Sequence, residues 1–291
     1  MTTLEKLEDY QERCDHCDDQ RYVLDAVGDR AVARTCDACF EECPACGGEE
    51  FQYVTDDQGY SYARRCAVCG PLNQRIEAFN AARIPARYRG RESRLQEFER
   101  TDDRGNPIGN LQDLHIRIYR WTQGFTPGDQ GFVLHGPVGT GKTHLMVAVL
   151  RHLLLEKGIA CRFIEFTHLL SEIKQQFDAG KGESEIMAPL AEIEVLAIDE
   201  LGKGRNTPWQ LSIIDEIISK RYNRGLTTLF TTNYPLREPK IDANASDAAI
   251  KQQMTQETLV ERVDQRIFSR LHEMVDFLEI DAPDYRKRQG R

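Results

Sequence analysis

The sequence predicts an α/β fold, a parallel sheet set between helices, preceded by a small cysteine-rich module. Two observations carry this. From about residue 111 onward, short apolar runs alternate with amphipathic helical segments. Eight of the nine cysteines fall between residues 14 and 69, paired as CxxC. A third observation is charge: of the net −9, residues 1–72 hold 16 acidic against 7 basic side chains, while the rest is balanced at 31 of each. At 291 residues and 40% hydrophobic content, the chain is long enough for one sizeable domain and a smaller one. Its organisation reads as a module over 1–72, an arginine-rich helical linker over 73–110 and the main domain over 111–291.

The N-terminus, MTTLEKLEDY, lacks an apolar signal core. No stretch approaches the roughly 18 uncharged apolar residues that a membrane span requires, so the chain is expected to be cytoplasmic, with no membrane partner. Paired cysteines in such a chain point to metal rather than disulfides. Cys14 and Cys17 are matched by Cys36 and Cys39, and Cys43 and Cys46 by Cys66 and Cys69, with a hairpin-like segment inside each set. Thiolates in this spacing suit tetrahedral zinc, two ions in all, in tandem ribbons or in a nested pairing. His16, inside the first pair, is expected to be solvated. Cys161, far away in an apolar run, reads as a small buried hydrophobe. Thiolate ligation would make the module more acidic still, which favours a protein partner over a phosphate backbone.

Between Gln74 and Arg100 arginines dominate (Arg75, Arg83, Arg87, Arg89, Arg91, Arg94), reading as a helix, a break at Pro85 and a connector, with TDDRGNPIGN as the boundary of the main domain. Strands are expected at Phe132 to His135, Cys161 to Phe166, Val195 to Asp199, Thr228 to Thr232 and Val275 to Ile280. Helices lie between them, notably THLMVAVLRHLLLEKG, closed by Gly158, and PWQLSIIDEIISKRYNRG, closed by Gly225. About a dozen residues follow the last strand, leaving no room for a further helical domain.

GPVGTGKT matches GxxxxGK[ST] and sits after an apolar strand at the start of a helix. Gly136, Pro137, Val138, Gly139, Thr140, Gly141, Lys142, Thr143 and the adjoining His144 are the expected ATP-binding residues. Their backbone N–H groups would cradle the phosphates, with Lys142 on the β and γ groups and Thr143 on magnesium. VLAIDE ends a buried strand in two carboxylates: Asp199 is the second expected magnesium ligand, and Glu200 the residue that polarises the attacking water. Asn233, ending the next strand, could reach the γ-phosphate or that water; its bland alternative is a turn residue before Pro235. Arg262, Arg266 and Arg270 recur at i+4 spacing, which puts them on one helix face. They form either a solvated basic face or an arginine finger for a neighbouring subunit's ATP site, and spacing does not choose among them. Lys203 and Arg205, in the loop after Glu200, are candidates for touching DNA.

With these residues in place the sequence resembles the AAA+ ATPases of the helicase-loader group, the DnaC/DnaI type that also includes the IstB-like transposition helpers. The resemblance covers about residues 76 to 291 and rests on FNAARIPARY, GPVGTGKTHL, VLAIDELGKG, TTNYP, QRIFSRL and APDYR, in that order. It implies an AAA+ P-loop core without a C-terminal lid, and an ATP-dependent oligomer that self-associates through the ATP site, contacts single-stranded DNA and places a replicative helicase. It carries the arginine-finger role onto Arg270, with Arg266 as its companion. The N-terminal double zinc ribbon departs from the family pattern. Three functions follow: a helicase loader, a transposition helper, or an adaptor with an ATP-gated assembly switch. The acidity of residues 1–72 speaks against a nucleic-acid-binding adaptor.

Overall fold

The structure is a computed structural model that describes residues 14–39, 43–237 and 257–289. The chain divides into two compact units, Met1–Gly90 with Leu154–Gly158, and Arg91–Leu153 with Ile159–Arg291.

The first unit carries two antiparallel hairpins. In the first, β1 (Tyr22–Val27) pairs with β2 (Arg30–Thr35) around a turn at Gly28, whose φ is +61°. In the second, β3 (Phe51–Thr55) pairs with β4 (Ser61–Arg65), and the Asp56 carboxylate closes the turn by accepting from the Gln58 and Tyr60 N–H groups, both at 2.9 Å. Helix α1 (Gly70–Ala82) follows. It begins four residues before the expected Gln74 because Pro71 occupies the first turn, where its missing N–H is harmless. It ends at Arg83, left-handed at φ +60°, just before Pro85. The Asn80 amide pins it to β2, accepting from Ala33 N–H at 2.7 Å and donating to Ala33 C=O at 3.0 Å.

The second unit begins with a short turn at Arg91–Ser93 and then α2 (Leu111–Gly124). The α/β core follows: β5 (Gly131–His135), α3 (Lys142–His152), β6 (Cys161–Glu165), α4 (Phe166–Asp178), α5 (Glu183–Glu192), β7 (Val195–Asp199), α6 (Pro208–Arg224) and β8 (Thr227–Thr232). After the segment 238–256 come α7 (Leu259–Val263), α8 (Gln265–Met274), β9 (Val275–Glu279) and α9 (Tyr285–Gln289). The strands match the expected ones to within a residue at each end. They form one parallel sheet in the order β6-β7-β8-β5-β9. Every residue of β7 and β8 is buried, which is why these strands read as uninterrupted runs rather than alternating patterns. Thr207 caps α6 in a reciprocal box with Gln210, and Gly225 ends it at φ +61°.

One expected element is corrected. The segment carrying Arg262, Arg266 and Arg270 is not a single helix: Asp264, at φ +74°, separates α7 from α8. Each half has its own start. Thr258 and Glu261 form a capping box for α7, and the Asp264 carboxylate accepts from Arg266 N–H for α8. Arg262 therefore does not share a helix face with the other two.

Candidate nucleotide site and metal centres

The sheet order sets the site. Because β8 lies between β5 and β7, the C-terminal ends of three adjacent strands bring together the loop 136–143, the segment Thr231 to Asn233, and the Asp199–Glu200 pair. Parallel α/β sheets bind ligands at this end of their strands.

The loop after β5 is shaped by the close approach of the segment after β9. A Cβ on Gly136 (φ +142°) would lie 2.3 Å from the Ile280 carbonyl oxygen, and one on Gly139 (φ +82°) 1.9 Å from an Asp284 carboxylate oxygen. The segment after β9 lies against this loop, with Ile280 N–H donating to His135 C=O at 2.8 Å and Tyr285 N–H to Gly139 C=O at 2.9 Å. This contact from Asp284 and Tyr285 had no signal in the sequence beyond the motif APDYR. Pro137 and Val138 stand exposed at the loop tip. Thr140 is buried and donates to Pro137 C=O at 3.0 Å. Lys142 folds back on the loop, its ammonium donating to the carbonyls of Gly136 at 2.8 Å and Pro137 at 2.6 Å. Burial pulls its pKa down from 10.5 to about 8, against the opposing pull of Asp199 and Glu200. His144, on α3, donates through Nε2 to Glu92 C=O at 2.8 Å and packs edge-on against Phe98.

Thr143 and Asp199, the two expected magnesium ligands, touch: the Thr143 hydroxyl donates to Asp199 Oδ1 at 2.8 Å. Oxygen donors of this kind suit magnesium, so the pair fits the ion. Thr231, which sequence reasoning missed, completes the arrangement. Its hydroxyl donates to the same Asp199 oxygen and accepts from Glu200 N–H at 2.9 Å. Burial pushes the Asp199 carboxyl above its ordinary value, and the hydroxyls of Thr231 and Thr143 oppose that shift. Glu200 sits at φ +58°, a left-handed conformation that costs a non-glycine residue about 1 kcal/mol. Its carboxylate pairs with Lys203, whose ammonium also lies 3.3 Å from Glu165 at the end of β6. Asn233 follows β8 directly and is half-buried.

The three arginines part company. Arg262 is buried, donates to Gly202 C=O at 2.9 and 2.8 Å and to Gly204 C=O, and stacks over Tyr234. Those carbonyls fix it in the wall of its own chain. Arg270 pairs with Asp215 on α6 at 2.6 Å, and Arg266, 71% exposed, stands 4.0 Å from the same carboxylate. Arg205 is exposed.

In the first unit, two sulfur clusters form, Cys14–Cys17–Cys36–Cys39 and Cys43–Cys46–Cys66–Cys69, each with all sulfurs within 4.8 Å of one another. The pairing is tandem, not nested. Sulfurs around a tetrahedral zinc at ~2.3 Å lie about 3.8 Å apart. The observed separations are 4.0 Å (Cys14–Cys36), 3.3 Å (Cys17–Cys39), 3.8 Å (Cys43–Cys66) and 3.7 Å (Cys46–Cys69). Backbone N–H groups of Cys17 and Cys69 pull the thiols of Cys14 and Cys66 down to about 7, while burial raises those of Cys17, Cys39 and Cys69. His16 is exposed, with Nδ1 3.4 Å from Cys36 Sγ. Cys161 is buried, and burial raises its thiol pKa well above the ordinary value. Among the described residues, no helix is long and apolar enough to cross a membrane.

The family model described as IstB-like ATP binding protein matches residues 80–290. The replicative helicase loader DnaC of Escherichia coli strain K12 is 26% identical over 164 residues, covering 51% of this chain and 66% of that protein. The uncharacterized protein YqaM of Bacillus subtilis strain 168 is 26% identical over 156 residues, 49% of each chain. The chain thus spans about half to just under two thirds of the length of these relatives. A crystal structure of the DnaC helicase loader superposes with a TM-score of 0.53 at 28% identity, covering 67% of this chain and 99% of that one.

Proposed function

Because the chain belongs to the IstB-like ATP binding protein family, we propose that it is an AAA+ ATPase that acts in DNA replication as a helicase loader. The observation that carries the ATPase reading is the convergence of Thr143, Asp199, Thr231 and Glu200 at the ends of adjacent strands, beside the loop that ends in Lys142. The loop N–H groups and the N-terminus of α3 bind the phosphates, and Lys142 exchanges its two carbonyl partners for phosphate oxygens. Thr143 and Asp199 would hold magnesium, which would supply positive charge against the phosphates. Thr231 orients the Asp199 carboxylate and fixes the Glu200 backbone. Glu200 then orients and deprotonates the attacking water, with Asn233 reaching toward the γ-phosphate. Arg270, with Arg266 beside it, completes a neighbouring subunit's site, so that hydrolysis depends on self-association. Arg262, tied to the Gly202 and Gly204 carbonyls, is not that residue.

The loader role is supported by the likeness to DnaC in sequence and in fold. In this reading the core assembles on single-stranded DNA and the chain binds the replicative helicase, while the acidic module, whose two cysteine clusters would hold zinc, binds a protein partner. The description of the matching family favours a second reading, an IstB-like transposition helper on duplex DNA. Affinity capture with the replicative helicase in the presence of ATP separates them. A stoichiometric, ATP-dependent complex supports the loader, and no complex at micromolar concentrations removes it.

A further inference from the structure

We propose that Asp215, on α6, is a positioning residue for hydrolysis: it holds one arm of the Arg270 guanidinium and so sets that group in advance for the phosphates of a neighbouring subunit. The inference rests on the role in trans given to Arg270 above.

The two helices meet along matched polar rows. On α6, Asp215, Ser219 and Tyr222 recur at i, i+4 and i+7, and on α8 Arg266, Arg270 and Glu273 do the same, so each set lies along one helix face. The rows are joined at two points. Arg270 donates to Asp215 Oδ1 at 2.6 Å, and the Tyr222 hydroxyl donates to Glu273 at 2.5 Å. Beneath them, Ile214, Ile217 and Ile218 of α6 and Ile267 and Leu271 of α8 belong to one buried core. Helix α6 is itself a fixed frame, since Thr207 caps its start and Arg221 ties its last turn to the carbonyls of Leu190, Ile193, Glu194 and Thr227. The register of α8 on α6 thus determines where Arg270 is held.

Charge and exposure say what the pair does. Ser219 donates to Asp215 Oδ1 at 3.4 Å, and Arg266 stands 4.0 Å from Oδ2, so one carboxylate serves two cations and the trio keeps positive charge in excess. An ion pair that only stapled the helices together would leave none over. Among the described residues, no other hydrogen bond engages the Arg270 guanidinium, which has further N–H donors for an outside anion while one arm stays on Asp215. At 22% exposed, Arg270 is open enough to be reached and buried enough to be held. An unanchored arginine would have to be ordered on the phosphates at each turnover, and Asp215 orders it beforehand.

The test is a mixing assay with the whole chain. The R270A variant keeps an intact nucleotide site and lacks the finger; the E200Q variant keeps the finger and lacks the residue that activates water. Mixed with ATP and magnesium, the two restore turnover that neither shows alone. The donor is then changed to E200Q/D215N, with the nucleotide affinity of each chain measured alongside. The expected result is a maximal turnover about tenfold lower, with the half-saturating donor concentration and the KM for ATP unchanged, because the subunits still meet and the acceptor's site is untouched. E200Q/D215E, which keeps a carboxylate, recovers most of the loss. Equal or higher restoration by E200Q/D215N overturns the proposal. So does a loss that appears only as weaker association or weaker nucleotide binding, which marks a helix staple. If E200Q itself restores nothing, the role of Arg270 in trans fails, and this inference with it.

Discussion

Raising the pH from 7 to 9 should weaken ATP binding about tenfold, with Lys142 as the cause. In the folded chain burial brings its pKa down from 10.5 to about 8, and its hydrogen bonds go to neutral carbonyls. Roughly nine tenths of the side chain is therefore protonated at pH 7 and about one tenth at pH 9. Bound phosphates bring opposite charge beside the ammonium, which returns it to its ordinary range and requires uptake of about 0.9 proton per ATP at pH 9. Isothermal titration calorimetry in buffers of different ionisation enthalpy reads that proton directly. Without nucleotide the sign reverses. Between about pH 8 and 10.5 the unfolded chain holds a proton that the folded chain has released, so stability of the empty protein rises across that window. An affinity that stays flat from pH 7 to 9, with no buffer-dependent heat, would refute the reasoning and place Lys142 in a wetter site than its contacts describe.

Three further outcomes follow from particular contacts. Thr231→Val keeps the branched shape but removes the hydroxyl shared by Asp199 and Glu200; it should lower turnover about 10- to 100-fold, with nucleotide affinity changed much less, as steady-state kinetics beside a binding titration would show. Arg221→Met strands the carbonyls of Leu190, Ile193, Glu194 and Thr227, which this fully buried guanidinium now binds. Urea denaturation should report a loss of about 4 kcal/mol. Metal analysis should return two zinc ions per chain, and Cys36→Ser should bring the value to one by removing a ligand from the first cluster only.

The strands of the main domain were legible because buried parallel strands leave long apolar runs, and Gly225 marks where α6 stops, whereas α3 ends at His152, short of the expected Gly158. The loop 136–143 was legible because its glycines stand at φ +142°, +82° and +95°, conformations that other residues rarely adopt. Thr231 was not. A threonine in TLFTT reads as an ordinary strand residue, and only the sheet order, which sets β8 between β5 and β7, turns its hydroxyl toward Asp199. Arg262 misled in the other direction, since i+4 spacing implies a shared face only if the helix is continuous. The signals of the break were present, a capping box from Thr258 to Glu261 and a capping aspartate at Asp264, but they were masked by the regular arginines. The cysteine pairing stayed open in the sequence because spacing alone permits both schemes. Each hairpin resolves it by bringing its own two CxxC turns together.

The central claim, that Glu200 drives ATP hydrolysis at this site, is tested most directly by Glu200→Gln, which keeps the shape and removes the base. The account predicts unchanged ATP binding and turnover lowered at least about 100-fold. Turnover equal to that of the unaltered chain, measured under the same conditions, would contradict it.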